Sequence, residues 1–391
     1  MSKTTLNLIP SDVLMFRESR PFDQVTTASD SVFPTPRAIA GAVRTWLLNG
    51  MGQDLGDLAM KVRKANLEEI TRKDLESYCD EGCKWVLKAS IRGPFLAQTG
   101  TRLFPLPLHM VDDENDVCLQ RLCPVQDNLP GYNVPQGADA GTFRHLWLPG
   151  GKDWTSLDNS FLDSDAMAQA LASDGKVYLY DIKPSRTSHR DYLWRSESRY
   201  GIVIHEDTRT VEEGALYASE FMRFRDGISL QVEIESEVED EVIKKVVATS
   251  PWMKLGGEGK TAWVEIHSSE FTLPKPPSDW KDWNSTKRFF TTLITPGRFK
   301  GGGWIPVEMA KKYKLVSAIT GAPIVFSGWD GLLNRPLKTK YAARMGSVYF
   351  WERKDKCTEK NDPHGTSISD EQDDKQAGWG ICLRGDWDYA K

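Results

Sequence analysis

Apolar and polar positions along this chain change over in short runs, with few long helical stripes. Runs of about four to eight residues that alternate, or that are apolar between turn signals, predict strands. They occur at residues 4–8 and 13–16, split by Pro10, and at 85–97, where Gly93-Pro94 predicts a turn at the strand end. Further strand-like runs lie at 177–182, 201–205, 215–224, 228–234, 262–267, 315–327, 346–352 and 380–385. Helical spacing is clearest at 31–48, where Ile39, Val43, Trp46 and Leu47 form one apolar face. Thr35 fits the N-cap and Pro36 the first helical position, where a missing N–H costs nothing. Gly41, in mid-helix, predicts the close approach of another backbone. A second helix is predicted at 238–248, with Glu239, Asp240 and Glu241 at its start and Lys244 and Lys245 later, as the helix dipole favours. Residues 67–85 predict a partly helical stretch.

Two stretches lack any period. Residues 104–163 are rich in proline, glycine and polar residues and read as an ordered insertion held down by Phe143, Trp147 and Trp154. Residues 353–376 are charged and almost free of apolar side chains, which predicts a mobile loop. Many strands with few helices give an α+β class. At 391 residues, the chain is long enough for two domains, with the boundary expected near residue 210.

Charge changes the picture only locally. The net charge is −5, so a wholesale basic nucleic-acid binder is excluded and any RNA site must be a patch. One patch is 183–200, where Lys183, Arg186, Arg190, Arg195 and Arg199 oppose Asp191 and Glu197 and interleave with Tyr192, Trp194 and Tyr200. Cations mixed with rings suit single-stranded RNA, the cations for phosphates and the rings for bases. A solvated hairpin edge would have the same composition. A second patch, 281–300, holds Lys281, Lys287, Arg288, Arg298 and Lys300 against Asp282. No signal-peptide core, membrane-length apolar run or C-x-x-C pair is visible, and six cysteines in such a chain read as free thiols in a cytoplasmic protein.

Three motifs carry candidate chemistry. The start of the first helix, flanked by Arg37 and Arg44 two turns apart, can receive an anion. Gly256, Gly257, Gly259 and Lys260 form a glycine turn with a cation at its rim. It lacks Walker A spacing, and a plain tight turn is the competing reading. Gly378, Gly380 and Gly385 form a second, weaker glycine pattern. His189 is the one histidine within a basic stretch, and no nucleophile or metal set accompanies it.

The run from Asp12 through Arg17, Arg20 and Phe22, followed by Phe33-Pro34-Thr35-Pro36 and Ile39 to Arg44, resembles the opening of the third subunit of the type III-B CRISPR effector (Cmr) complexes. These belong to the RAMP superfamily. The resemblance continues through Arg92-Gly93-Pro94-Phe95, residues 199–224, Leu255 to Lys260, Ser327-Gly328-Trp329-Asp330, Gly346 to Glu352 and Gly378-Trp379-Gly380. It implies two ferredoxin-like (βαββαβ) domains, 1–210 with the insertion and 211–391. It implies a non-catalytic subunit without cofactor or metal that binds the 5′ tag of the CRISPR RNA and docks the large polymerase-like subunit. It would adjoin a repeated RAMP backbone subunit and meet target RNA indirectly, with no membrane partner. RNA contacts are then expected from Arg17, Arg20, Arg37, Arg44, His189, Arg190 and Lys260, with close backbone approach at Gly256, Gly257, Gly259, Gly378 and Gly380. Two alternatives stay open: a RAMP endoribonuclease that processes precursor RNA, and a scaffold subunit of a type III-A complex.

Overall fold

In β1 (Ser2–Pro10) the alternation is realised: Leu6 and Leu8 are fully buried, while Lys3 and Ile9 face solvent. The computed structural model describes residues 2–16, 32–65, 71–112, 118–128, 132–148, 153–157, 159–172, 177–178, 187–204, 207–268, 271–275, 282–354 and 359–390. The chain divides into two units. Unit 1 comprises Met1–Pro94, Asp191–Ser268 and Val325–Lys340; unit 2 comprises Phe95–Arg190, Ser269–Ile324 and Tyr341–Lys391.

In unit 1, β1 is followed by α1 (Pro36–Gly50) and the start of β2 (Ser90–Gln98). A long hairpin follows, β3 (Trp194–Ile204) with β4 (Val211–Phe224), then β5 (Ile228–Ser236), α2 (Asp240–Thr249), β6 (Trp252–Lys254) and β7 (Thr261–Ile266). The sheet runs β2-β5-β1-β7-β6, and β1 pairs antiparallel with both neighbours, Leu8 opposite Leu230 and Val264. Numbered by their place in the chain, the four principal strands therefore stand fourth-first-third-second, with a helix after the first and after the third. α1 begins as its residues dictate: the Thr35 hydroxyl accepts from the Ala38 amide at 3.4 Å and Pro36 opens the first turn. Its apolar stripe is buried, and the Trp46 indole donates to the Ser250 carbonyl at 2.7 Å. Gly50 is where α1 meets α2, since a Cβ there would stand 2.5 Å from Val246. Gly41, by contrast, has no neighbour within 4 Å of a Cβ and lies on the exposed side, so the backbone approach expected there is absent and the close contact of the helix is with the Val246 side chain at its end.

Unit 2 repeats the strand order. β8 (Arg288–Leu293), α3 (Val307–Lys312), β9 (Tyr313–Ile319), β10 (Val348–Arg353), α4 (Gln372–Gln376) and β11 (Cys382–Asp386) give a four-stranded antiparallel sheet, β9-β10-β8-β11. Phe290 and Phe350 pair across its centre and join Met167, Leu171 and Leu383 in the core. Gly385 faces Phe290 because nothing larger fits: a Cβ would lie 2.2 Å from the ring. The architecture is thus mixed α+β, built on antiparallel sheets.

Several expectations need correction. Gly93-Pro94 lies within β2 rather than ending it. The boundary placed at 210 falls in the turn between β3 and β4, inside unit 1, because residues 191–268 complete the sheet that 2–94 begin. Within the insertion, Phe143 is buried, but Trp147 and Trp154 are about half exposed and anchor little. The described part of the 353–376 stretch is packed rather than loose. Ile368 and Ser369 are buried, and the Asp370 carboxylate accepts from the amides of Lys300, Val307 and Glu308. Asp374 pairs with Arg298. Order comes from polar side chains that satisfy distant backbone donors, a source that composition does not reveal.

Candidate nucleic-acid interface

Unit 1 gathers several of the candidate segments. After β1, residues 12–16 run alongside the end of β4, where Leu14 and Met222 exchange both backbone hydrogen bonds at 2.9 and 2.8 Å. The glycine turn between β6 and β7 packs on the same segment. The Gly257 amide donates to the Met15 carbonyl at 2.9 Å, and Gly256, at φ +82°, would place a Cβ 2.7 Å from that oxygen. Leu255 donates to the Lys260 carbonyl and Lys260 to that of Gly257, which closes the turn. Gly256 through Gly259 stay exposed. Close approach at Gly256 and Gly257 is therefore made by the chain itself. Gly259, at φ +63°, has open space around it.

Lys260 is half-buried, with its Nζ 5.1 Å from the centroid of the Phe221 ring. The Arg199 guanidinium stands 4.9 Å from the same ring. Phe221 itself is buried with Val13 and Met15. Two cations thus share one ring as a fixed platform. Arg199 and Arg223 are both bound to Asp12 and Glu197, with N–O distances of 2.5–3.0 Å. Hydrogen bonds from Arg223 and then Arg199 hold the Glu197 carboxyl down at about 2. Arg199 likewise lowers Asp12. This network consumes the charge of Arg199, so the basic excess read from 183–200 is smaller at the surface than in the sequence. Arg195 remains exposed there, as do Tyr192 and Tyr200 at 75% and 72%.

Other candidates are placed elsewhere. Arg17 and Arg20 lie outside the described residues. Arg37 is half-buried on the first turn of α1, and Arg44 donates to the Ala89 carbonyl at 3.1 Å, tying α1 to the chain just before β2. His189 ends a short strand, Thr187–His189, and Arg190 opens a short helix, Arg190–Leu193; their side chains are outside the described residues. Gly378 and Gly380 belong to unit 2 and are buried. The Gly378 carbonyl accepts from the Thr295 hydroxyl at 2.7 Å, and the Gly380 amide donates to the Pro296 carbonyl at 2.7 Å. At Gly380, φ +69°, a Cβ would lie 2.5 Å from the Ser369 hydroxyl. In the second basic patch, Arg288 is held by Glu352 and Asp388 and Arg298 by Asp374, while Lys287 and Lys300 are exposed. Cys79, Cys83, Cys118 and Cys382 are buried, and no group of three or more His, Cys, Asp or Glu residues able to hold a metal occurs among the described residues. No described helix is long and apolar enough to cross a membrane. Asp12, Phe221 and Arg223 were not singled out by pattern, because their significance lies in pairing across some 190–210 residues of chain.

Fold and surface together define a two-unit α+β protein with antiparallel sheets and a cation–aromatic platform beside a glycine turn. The family model of the CRISPR-associated protein (Cas_Cmr3) matches residues 6–387. The chain belongs to that family, the third-subunit family of the type III-B Cmr CRISPR complexes. Among solved structures it is similar to a chain in a cryo-EM structure of the type III-B Cmr-beta complex bound to cognate target RNA and AMPPnP. The identity there is 19%, with 88% of this chain and 86% of that chain covered, at a TM-score of 0.46. It is also similar to a chain of the Csm3-Csm4 subcomplex of the type III-A interference complex, at 14% identity, covering 90% and 95%, with a TM-score of 0.40. No curated protein matches the sequence.

Proposed function

We propose that this subunit is a non-catalytic RNA-binding component that grips the 5′ tag of the CRISPR RNA and docks the large polymerase-like subunit. In this reading it adjoins a repeated RAMP backbone subunit, meets target RNA indirectly, and works in the cytoplasm without a cofactor. Family membership supports the setting. The twice-repeated fourth-first-third-second strand order supports two ferredoxin-like domains. The first would end after β7 and the second begin at β8, with the long insertion between β2 and β5.

The observation that carries the RNA reading is the platform at Phe221. Lys260 keeps a fixed position beside exposed backbone and beside the exposed Tyr200 strand, which suits a phosphate chain with a base nearby. Arg37 and Arg195 would extend the track, with Arg17 and Arg20 on the segment after residue 16, while His189 and Arg190 belong to unit 2 and would make a contact of their own. Gly378 and Gly380 would shape unit 2 for its own contact.

The test is RNA binding over a salt series. Lys260→Ala should weaken binding to tags of different sequence about equally, because phosphate contacts position rather than specify. The log–log salt slope should shrink by about 0.7, the single-strand value for one released counterion. An unchanged slope would mean that Lys260 only braces Phe221. Incubation of the purified subunit with repeat RNA, without metal, should leave the RNA intact. Cleavage that disappears in His189→Ala would establish the endoribonuclease reading instead.

A further inference from the structure

The four charged side chains beside Phe221 form a closed circuit. The Asp12 carboxylate gives one oxygen to each arginine, Oδ2 to Arg199 at 3.0 Å and Oδ1 to Arg223 at 2.9 Å. Glu197 does the same, Oε1 to Arg199 at 2.8 Å and Oε2 to Arg223 at 2.5 Å. Three of the four belong to the hairpin of β3 and β4. Glu197 stands directly opposite Phe221 in the ladder, so by alternation Arg199 and Arg223 share its face. Asp12 alone among the four comes from outside the hairpin, and it fastens the segment after β1 to that face. All four are partly exposed, so their mutual attraction adds little by itself. What the circuit supplies is geometry: each guanidinium is held by two carboxylates, and such contacts fix angle as well as distance.

The segment that Asp12 fastens holds the lysine turn on both sides. Before Asp12, the Ser11 amide donates to the Thr261 carbonyl at 3.1 Å, and the hydroxyls of the two residues lie 2.8 Å apart. After it, the Met15 carbonyl accepts from the Gly257 amide at 2.9 Å. Lys260 lies between these two anchors in the chain, with its Nζ 5.1 Å from the Phe221 ring. Val13 and Met15 pack on that ring from the same segment. Any slip of residues 11–15 against the hairpin is therefore a displacement of Lys260 from Phe221 and Arg199.

We propose that Asp12 is a positioning residue for the RNA contact: it touches no RNA itself, and through residues 11–15 it holds Lys260 where the ammonium meets a phosphate. The inference rests on the RNA-binding reading above. Charge alone has the opposite effect, since a carboxylate beside the phosphate path repels RNA and its removal should tighten binding. Asp12→Asn separates the two. The amide keeps one acceptor oxygen but sets an N–H donor against the other guanidinium, which has only donors, so the circuit opens while one negative charge is lost.

The test uses the full-length chain and a labelled single-stranded RNA of about 12 nucleotides, within the usual site size for such proteins. Affinity is measured over a salt series, with thermal unfolding as the check that each variant is folded. Asp12→Asn should weaken binding, by no more than Lys260→Ala does, and the log–log salt slope should shrink by up to about 0.7. Glu258→Gln removes the same charge from an exposed residue of the turn, outside the circuit, and should tighten binding. Arg223→Lys keeps the net charge but lacks the fork that spans two carboxylates, and it should weaken binding as Asp12→Asn does. In the Lys260→Ala background, Asp12→Asn should cause no further loss, because both act through one contact. Unchanged or tighter binding in Asp12→Asn, or a loss of equal size in the Lys260→Ala background, would overturn this inference; with Lys260→Ala itself weakened, the tag-binding reading would stand. No RNA binding by the wild-type chain would overturn both.

Discussion

Gly256→Ala should destabilise unit 1 by about 2–3 kcal/mol, and the structure supplies each part of that figure. Gly256 sits at φ +82°, where an L-residue costs about 1–2 kcal/mol. Its new Cβ would stand 2.7 Å from the Met15 carbonyl oxygen. That oxygen cannot withdraw without stretching the 2.9 Å bond from the Gly257 amide, a loss of about 1 kcal/mol. Gly259→Ala is the control: its φ is +63°, but nothing lies within 4 Å, so only the backbone cost of about 1–2 kcal/mol applies. The assay is urea unfolding of both variants, combined with hydrogen exchange at the Gly257 amide. Gly256→Ala should have the lower midpoint and the faster-exchanging amide. Equal midpoints, or unchanged exchange at Gly257, would refute the claim that the turn is locked to the segment after β1. Because Lys260 is positioned by this turn, RNA affinity should also fall further in Gly256→Ala than in Gly259→Ala.

Three other outcomes follow from the same geometry. His109 is buried between Phe290 and Phe350, and His364 accepts a hydrogen bond from the Arg384 amide; burial lowers both, His364 to about 4. Folding therefore requires the neutral imidazoles, so stability is complete above about pH 6.5 and declines as pH falls toward 4, by up to about 1.4 kcal/mol per pH unit per group. Urea midpoints at pH 7 and pH 5 should show the loss, and His109→Phe should shrink it; a flat profile would contradict the assignment. Arg384, buried against Asp386 and Asp362, should be indispensable: Arg384→Met removes the cation of a buried ion pair and should cost about 3–5 kcal/mol in thermal or urea unfolding. Phe221→Ala should cost a similar ~3–5 kcal/mol through the cavity between Val13 and Met15, measured the same way, and a loss below about 1 kcal/mol would mean that the platform is not packed.

Local rules made the helices legible. Thr35 and Pro36 announce α1, and the acidic start of residues 238–248 announces α2, because caps, proline and charge act within one or two turns. Most strands of the two sheets could be read from alternation, but β8 (Arg288–Leu293) lies inside a stretch read only as a basic patch, and the strand order was not legible at all, since pairing of β1 with β5 joins residues more than 220 apart. The same distance hides the site. The sequence shows a glycine turn and a lysine; it does not show that Met15 lies under Gly256, or that Asp12 and Glu197 neutralise Arg199. The stretch at 353–376 misleads for a related reason. Its composition is poor in apolar residues, yet Asp370 and Asp374 find partners in Lys300, Val307, Glu308 and Arg298, and those contacts add to the apolar anchor at Ile368. Trp147 and Trp154 show the converse, large apolar side chains left half exposed within the insertion.

The most direct test of the central claim is a crosslinking map of the assembled type III-B complex, made with a CRISPR RNA that carries photoreactive nucleotides throughout its 5′ tag. The account predicts crosslinks from tag nucleotides to peptides of this subunit that contain Tyr200 and Lys260, reduced at the second site in Lys260→Ala. Tag crosslinks confined to the other subunits, with none to this chain, would contradict it.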